Sequence, residues 1–141
     1  MGEVLNFLLD TNIVSQKTKL KPHPKALDWL MKLSQEQAFL SVVTIQESRT
    51  GFELLDRGKR RRDLEAWFDT HVLGGYAGRM LPVTEEIADL CGRFVAVKRK
   101  LAETPDINDM LIAATAVVHG LTLATLNDKH FTNLQMKLVK F

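Results

Sequence analysis

Apolar and polar positions fall in blocks along the chain, and the period changes from block to block. "VLNFLL" (4 to 9) is a continuous apolar run, short enough for a buried strand, and it stops on Asp10, Thr11 and Asn12, whose side chains suit the first free N–H groups of a helical turn. From Pro24 to about Ser34 the residues Leu27, Trp29, Leu30 and Met31 follow helical spacing. "AFLSVV" (38 to 43) is a second short apolar run; from Thr44 the pattern turns helical through Leu55, and Gly58 breaks it. Leu64, Trp67, Phe68, His71 and Val72 form another helical stripe, which "GGYAG" (74 to 78) forces into a turn.

"MLPV" (80 to 83) reads as a third strand, and "TEEI" (84 to 87) as a capping box opening an amphipathic helix with Ile87, Leu90, Cys91, Phe94, Val95 and Leu101 on one face. Pro105 opens a last helix, "DINDMLIAATAVVHG", whose small and apolar residues suit close packing on a sheet and whose Gly120 is a C-terminal stop. "LTLAT" (121 to 125) is a fourth strand and "KLVK" (137 to 140) a candidate fifth. Short apolar strands alternating with helices imply parallel pairing with helices on both faces, an α/β sandwich.

The 141 residues make one domain by length, and no linker, repeat or low-complexity stretch divides them. No apolar run nears the ~18 residues that cross a bilayer, and the N-terminus lacks the basic start and small-residue cleavage site of a signal peptide. The single cysteine, Cys91, has no partner within the chain. A cytoplasmic protein without a membrane anchor is the expectation. The net charge of +2 is too mild to mark a nucleic-acid binder. Cations nevertheless gather in "KTKLK" (17 to 21), "KRRR" (59 to 62, with Arg60 and Arg61) and "KRK" (98 to 100), read first as solvated faces and second as phosphate contacts.

Ligands of a parallel sheet collect outside the carboxyl ends of its strands. Asp10 follows the first strand, Glu47 lies in the helix after the second, Asp106 and Asp109 begin the helix before the fourth, and Asn127 and Asp128 follow it. Carboxylates crowded there repel one another unless protons or a cation intervene. Acids without clustered His or Cys suit a hard, oxygen-seeking ion such as Mg²⁺, not zinc. Each residue also has a structural reading. Asp10 serves as an N-cap, Glu47 as a surface residue, and Asp106 as a first-turn residue favoured by the helix dipole. Asp109, against "MLIAA", is harder to explain in that way. Thr11, Asn12 and Thr44 either cap helices or orient carboxylates. His23, His71, His119 and His130 show no ligand spacing and are read as non-catalytic.

Four blocks in order, "LLDTNIVS", "SVVTIQESRTG", "DMLIAATA" followed by Gly120, and "LATLNDKHF", span nearly the whole chain and resemble the PIN-domain ribonucleases, in particular VapC-type toxins of bacterial toxin-antitoxin pairs. The resemblance implies a single PIN domain over residues 1–141, a three-layer α/β/α sandwich on a mainly parallel sheet of four to five strands. It implies an endoribonuclease dependent on Mg²⁺, with Mn²⁺ able to substitute, neutralised by a small VapB-like antitoxin. On this resemblance Asp10 and Asp109 hold the metal and Glu47 positions the attacking water. Asn127 takes the fourth, usually acidic position with Asp128 beside it, while Thr11, Asn12 and Thr44 support the site. Arg49 becomes a phosphate contact or else a surface ion-pair partner, and the Trp29 and Trp67 helices become homodimer faces or else core.

Two rivals remain. A phosphoacceptor receiver module shares an acidic Mg²⁺ pocket but needs an Asp after the third strand, where "LPVTEE" offers none. A catalytically degenerate PIN-like scaffold keeps the fold and is favoured by the amide at Asn127.

Overall fold

The computed structural model describes residues 5–141, so that Val4, first of the opening apolar run, lies outside them. Five strands, β1 (Phe7–Leu9), β2 (Ala38–Ser41), β3 (Met80–Leu81), β4 (Thr122–Ala124) and β5 (Leu138–Val139), form one sheet in the order β3-β2-β1-β4-β5. Every neighbouring pair is parallel, with Leu8 opposite both Phe39 and Leu123, and Ala124 opposite Val139. Among the described residues six α-helices connect them: α1 (Thr11–Val14), α2 (Pro24–Lys32), α3 (Val42–Leu54), α4 (Lys59–Trp67), α5 (Glu85–Lys100) and α6 (Ile107–Val118).

The strands are apolar throughout because both faces of the sheet are covered. Successive β1 residues point to opposite sides. Leu8 and Leu123 enter a core with Ile87, Cys91 and Phe94 of α5 and Met110 and Ala113 of α6. Leu9 and Ala124 enter a second core with Ile13, Leu30, Leu40, Phe52, Phe68 and Val72. The result is the expected three-layer α/β/α sandwich. In α6, Ala113, Ala114 and Ala116 are fully buried, and their small side chains let the helix lie close to the sheet. Among the described residues no helix is long and apolar enough to cross a membrane.

Local chemistry sets the boundaries. The hydroxyl of Ser41 accepts from Val43 N at 3.0 Å and starts α3 at Val42, two residues before the Thr44 boundary expected from spacing. Thr84 caps α5 by accepting from Ile87 N at 3.2 Å, but the third helical position is Ile87 itself, so only half of the expected capping box forms. α6 begins at Ile107, capped by Asp106, and not at Pro105. Gly120 ends it with φ +65°, a conformation that a side chain resists. At the "GGYAG" turn, a β-carbon on Gly75 would collide with the carbonyl of His71, which accounts for a glycine there.

Of the two readings of the tryptophans the core one holds: Trp29 and Trp67 are half-buried against the second core, Trp29 lying edge-on to Phe7 at 5.0 Å and to Phe141 at 5.5 Å. One expectation is corrected. Lys98, assigned by sequence to a solvated cation block, is 2% exposed. It occupies the buried stripe Ile87, Cys91, Phe94, Lys98 of α5, and its ammonium donates to Thr132 O at 2.7 Å and pairs with Glu103 at 3.1 Å. Spacing alone would put an apolar residue there; a lysine is tolerated because a carbonyl and a carboxylate meet its charge.

Candidate active site

The chain leaves β1 toward β2 and β3 and returns on the other side through β4 and β5, so the sheet's direction switches between β1 and β4. Asp10 stands at the end of β1, its backbone N donating to Ala124 O at 2.9 Å. Its carboxylate caps α1, with Oδ1 accepting from Thr11 N at 2.8 Å and Oδ2 from the hydroxyl of Thr125 at 2.8 Å. Thr125 is held in turn by Asn127 N at 3.0 Å. Asn12 closes the same junction, its amide N 3.4 Å from Asp10 Oδ2 while its Oδ1 accepts from Leu126 N at 3.2 Å. The structural and chemical readings of Asp10 are therefore compatible: the cap holds the carboxylate at the switch point.

Burial of Asp10, 4% exposed, opposes its ionisation and is the largest influence on it. The hydrogen bonds from Thr125 and Thr11 favour the charge, whereas the negative charges of Asp109 and Glu47 oppose it, and the carboxyl is raised from 3.8 to about 6. Glu47, in the second turn of α3 and half-buried, accepts from the Thr11 hydroxyl at 2.8 Å; Thr11 also lies 3.0 Å from the Thr44 hydroxyl. Desolvation pushes its carboxyl above the ordinary range, the Thr11 bond works against that, and Asp109 and Asp106 push further upward. Asp109, in the first turn of α6, is also raised, first by desolvation; the bond from His130 lowers it and Asp106 raises it.

Asp10, Glu47 and Asp109, from three separate segments, thus share one electrostatic pocket, and Thr11, Asn12 and Thr44 hydrogen-bond within it. Asn127 and Asp128 behave differently. Both are exposed, and neither side chain is bonded to the three acids among the described residues; Asp128 accepts from Lys129 N at 3.1 Å. The segment after β4 instead delivers Thr125 to Asp10 and His130 to Asp109, the His130 Nδ1 lying 2.9 Å from Asp109 Oδ2.

Thr125 escaped the sequence reading and His130 was read as non-catalytic, whereas Asp106, expected at the start of the helix, caps α6 by accepting from Asp109 N at 3.1 Å and adds negative charge to the pocket. The available signal was position: Thr125 closes β4 as Asp10 closes β1. Arg49 pairs with Glu65 at 2.7 Å and lies over the Phe52 ring, and Arg61 pairs with Glu53 at 2.8 Å, so both guanidinium groups already have carboxylate partners. Arg60 Nη2 lies 3.5 Å from Thr18 O.

Two grooves flank the acids. One, of about 340 Å³, is bordered by Lys98, Glu103, Asp106, Asp109, Lys129 and His130. The other, of about 280 Å³, runs from Thr11 past Ser15 and Lys19 to Arg60 and Trp67. Among the described residues no three His, Cys, Asp or Glu side chains already form a cage for a metal ion. The donors nonetheless fit a hard divalent cation of the kind that keeps several waters and takes only one or two carboxylates directly. The observation behind that fit is the raised protonation of all three acids, which a cation would relieve.

The fold and the pocket define a class: parallel α/β/α proteins with a carboxylate pocket at the switch point of the sheet. The PIN domain model matches residues 7–136, and the chain belongs to the PIN domain family. The resemblance read from four sequence blocks is borne out. The chain is 35% identical over 118 residues to Toxin FitB of Neisseria gonorrhoeae, covering 84% of this chain and 85% of that protein. It is 32% identical over 124 residues to VapC ribonuclease Y4jK of Sinorhizobium fredii, covering 88% and 89%. The crystal structure of FitAcB from Neisseria gonorrhoeae superimposes with a TM-score of 0.87 at 31% identity, over 95% of this chain and 96% of that one.

Proposed function

We propose that the protein is a divalent-metal-dependent endoribonuclease, the toxin of a VapBC-type toxin-antitoxin pair acting in the cytoplasm as a homodimer, with a small VapB-like antitoxin as its partner. The observation that carries the catalytic part is the meeting of Asp10, Glu47 and Asp109 in one pocket, where Asp109 and Glu47 oppose the ionisation of Asp10 and Asp109 opposes that of Glu47. The toxin role is supported by similarity to proteins named as a toxin and as a VapC ribonuclease.

Asp10 and Asp109 are the residues that would hold Mg²⁺ or Mn²⁺. The bound ion supplies a more acidic water and stabilises charge on the scissile phosphate. The Thr125 and Thr11 bonds favour ionised Asp10 and offset part of the effect of its burial, and Asn12 ties the β1 end to the segment after β4. Glu47, oriented by Thr11, positions the attacking water, and its raised pKa makes it a better proton acceptor. No side chain becomes covalently attached to the RNA. Because the centre is acidic, the rim must supply attraction for phosphates: Arg60 and Lys19 on one groove, Lys129 on the other. Asn127, exposed beside the pocket, stands at the fourth position, where its uncharged amide can hydrogen-bond a water or a phosphate, with Asp128 beside it.

The test is cleavage of a mixed single-stranded RNA pool with Mg²⁺ or Mn²⁺, by wild type and by Asp10→Asn. Wild type cuts, chelation stops it, and the variant loses about two orders of magnitude or more. Wild-type protein that binds RNA but never cuts it is a scaffold, and the proposal fails.

A further inference from the structure

We infer that His130 is a nitrogen ligand of the metal pocket and gives it a preference for first-row transition ions over Mg²⁺. The inference rests on the metal-dependent reading above and goes beyond it, since the three acids alone specify only oxygen. The observation is the Asp109–His130 pair: Nδ1 lies 2.9 Å from Oδ2, bringing residues 21 positions apart together at the mouth of the larger groove. Two ligands each about 2.1 Å from one ion and at right angles to each other stand about 3 Å apart. The pair already has the spacing of one edge of a six-coordinate shell.

Without an ion, that edge is closed by a hydrogen bond between ring and carboxylate. With one, the ring proton resides on Nε2 and Nδ1 offers its lone pair. The adjoining groove, about 340 Å³, has room for the waters that complete the shell, at roughly 30 Å³ each. The cations on that groove do not forbid an ion. The charge of Lys98 is met by Glu103 at 3.1 Å and Thr132 O at 2.7 Å, and Lys129 is an exposed side chain free to turn to solvent. Imidazole nitrogen binds transition ions well, and Mg²⁺ favours oxygen.

The experiment titrates Mn²⁺ and Mg²⁺ separately into the full chain by calorimetry at one pH, and records the electron spin echo of bound Mn²⁺. The proteins are wild type, His130→Asn, His130→Asp and Asp10→Asn. His130→Asn keeps a short N–H donor for Asp109 but no ring nitrogen, so it separates ligation from simple positioning. His130 is exposed at the groove, with 45% of its side chain accessible, and circular dichroism checks that each variant keeps the fold. The expected results are ¹⁴N coupling to Mn²⁺ in wild type that vanishes in both His130 variants, and a Mn²⁺-to-Mg²⁺ affinity ratio that falls about tenfold or more in each. If Mn²⁺ binds and RNA is cut, but nitrogen coupling is absent and His130→Asn leaves the ratio unchanged, the inference is overturned and the nuclease reading stands. If neither ion binds wild type more tightly than Asp10→Asn, both fall.

Discussion

Replacing Asp10 by Asn removes a buried charge while keeping its shape, and in metal-free protein this is expected to stabilise the fold. The carboxyl is raised from 3.8 to about 6, because burial and the neighbouring acids outweigh the Thr125 and Thr11 hydrogen bonds. That shift of roughly two pH units corresponds to about 3 kcal/mol of stability lost on ionising Asp10 in the fold. The folded state holds the proton more tightly than the unfolded chain does. The contribution is therefore complete below about pH 3.8 and is lost as pH rises through about 6. The amide retains an oxygen for Thr11 N and gives up the charge-assisted bond from Thr125, a loss already contained in the net shift of the carboxyl.

The net gain is therefore about 2–3 kcal/mol at pH 8, the repulsion by Glu47 and Asp109 being part of the same shift. Urea unfolding in excess chelator measures this directly at pH 4, 5, 6 and 8. The variant should overtake wild type as pH rises and hold its advantage at pH 8. Saturating Mg²⁺ should reverse the order, because only wild type gains full stabilisation from a bound ion. Parallel stability curves for the two proteins between pH 4 and 8 would refute the claim that Asp10 is an uncompensated buried carboxylate.

Thr125→Val deletes the 2.8 Å bond that favours ionised Asp10; it should destabilise by about 1–2 kcal/mol and move the acidic limb of the RNA-cleavage pH profile upward, as read from rates across pH 5 to 8. Lys98→Met leaves Thr132 O and Glu103 without their cation and should cost about 1–3 kcal/mol in urea unfolding, with Lys98→Arg failing to restore it because the buried site fits one ammonium. Gly120→Ala imposes a β-carbon on φ +65° and should cost about 1 kcal/mol by the same measurement. Arg49→Ala breaks a largely exposed pair with Glu65 and should change stability by under about 1 kcal/mol, so a large loss of RNA binding in that variant would reveal a phosphate contact that the ion pair conceals.

Period and turn chemistry placed the elements well. The apolar runs "AFLSVV" and "LTLAT" hold the shorter β2 and β4, and the helical stripes from Pro24 and from Ile87 became α2 and α5. The boundaries moved where one side chain decided them: Ser41 capped α3 before Thr44 could, and Asp106 capped α6 after Pro105. Asp10, Glu47 and Asp109 were legible because each acid abuts an apolar segment, and an acid so placed is costly unless it has a task. Lys98 misled by its neighbours, since "KRK" reads as one polar block although its first member lies on the buried face of α5.

His130 and Thr125 were not legible as site residues. Nothing in "TLNDKHF" states that its first hydroxyl meets the acid after β1, or that its imidazole meets the acid in α6, because the exposed Asn127 and Asp128 are the more conspicuous polar side chains of that segment. The sequence by itself determined which segments are strands and helices, that the sheet is parallel, and which three acids needed a reason to exist. Those are local matters of period, capping and desolvation, each settled within about a dozen residues. Only the tertiary structure decided which groups face those acids. That choice depends on strand order, β4 returning beside β1, and on the path of a short turn after it, which no local pattern encodes.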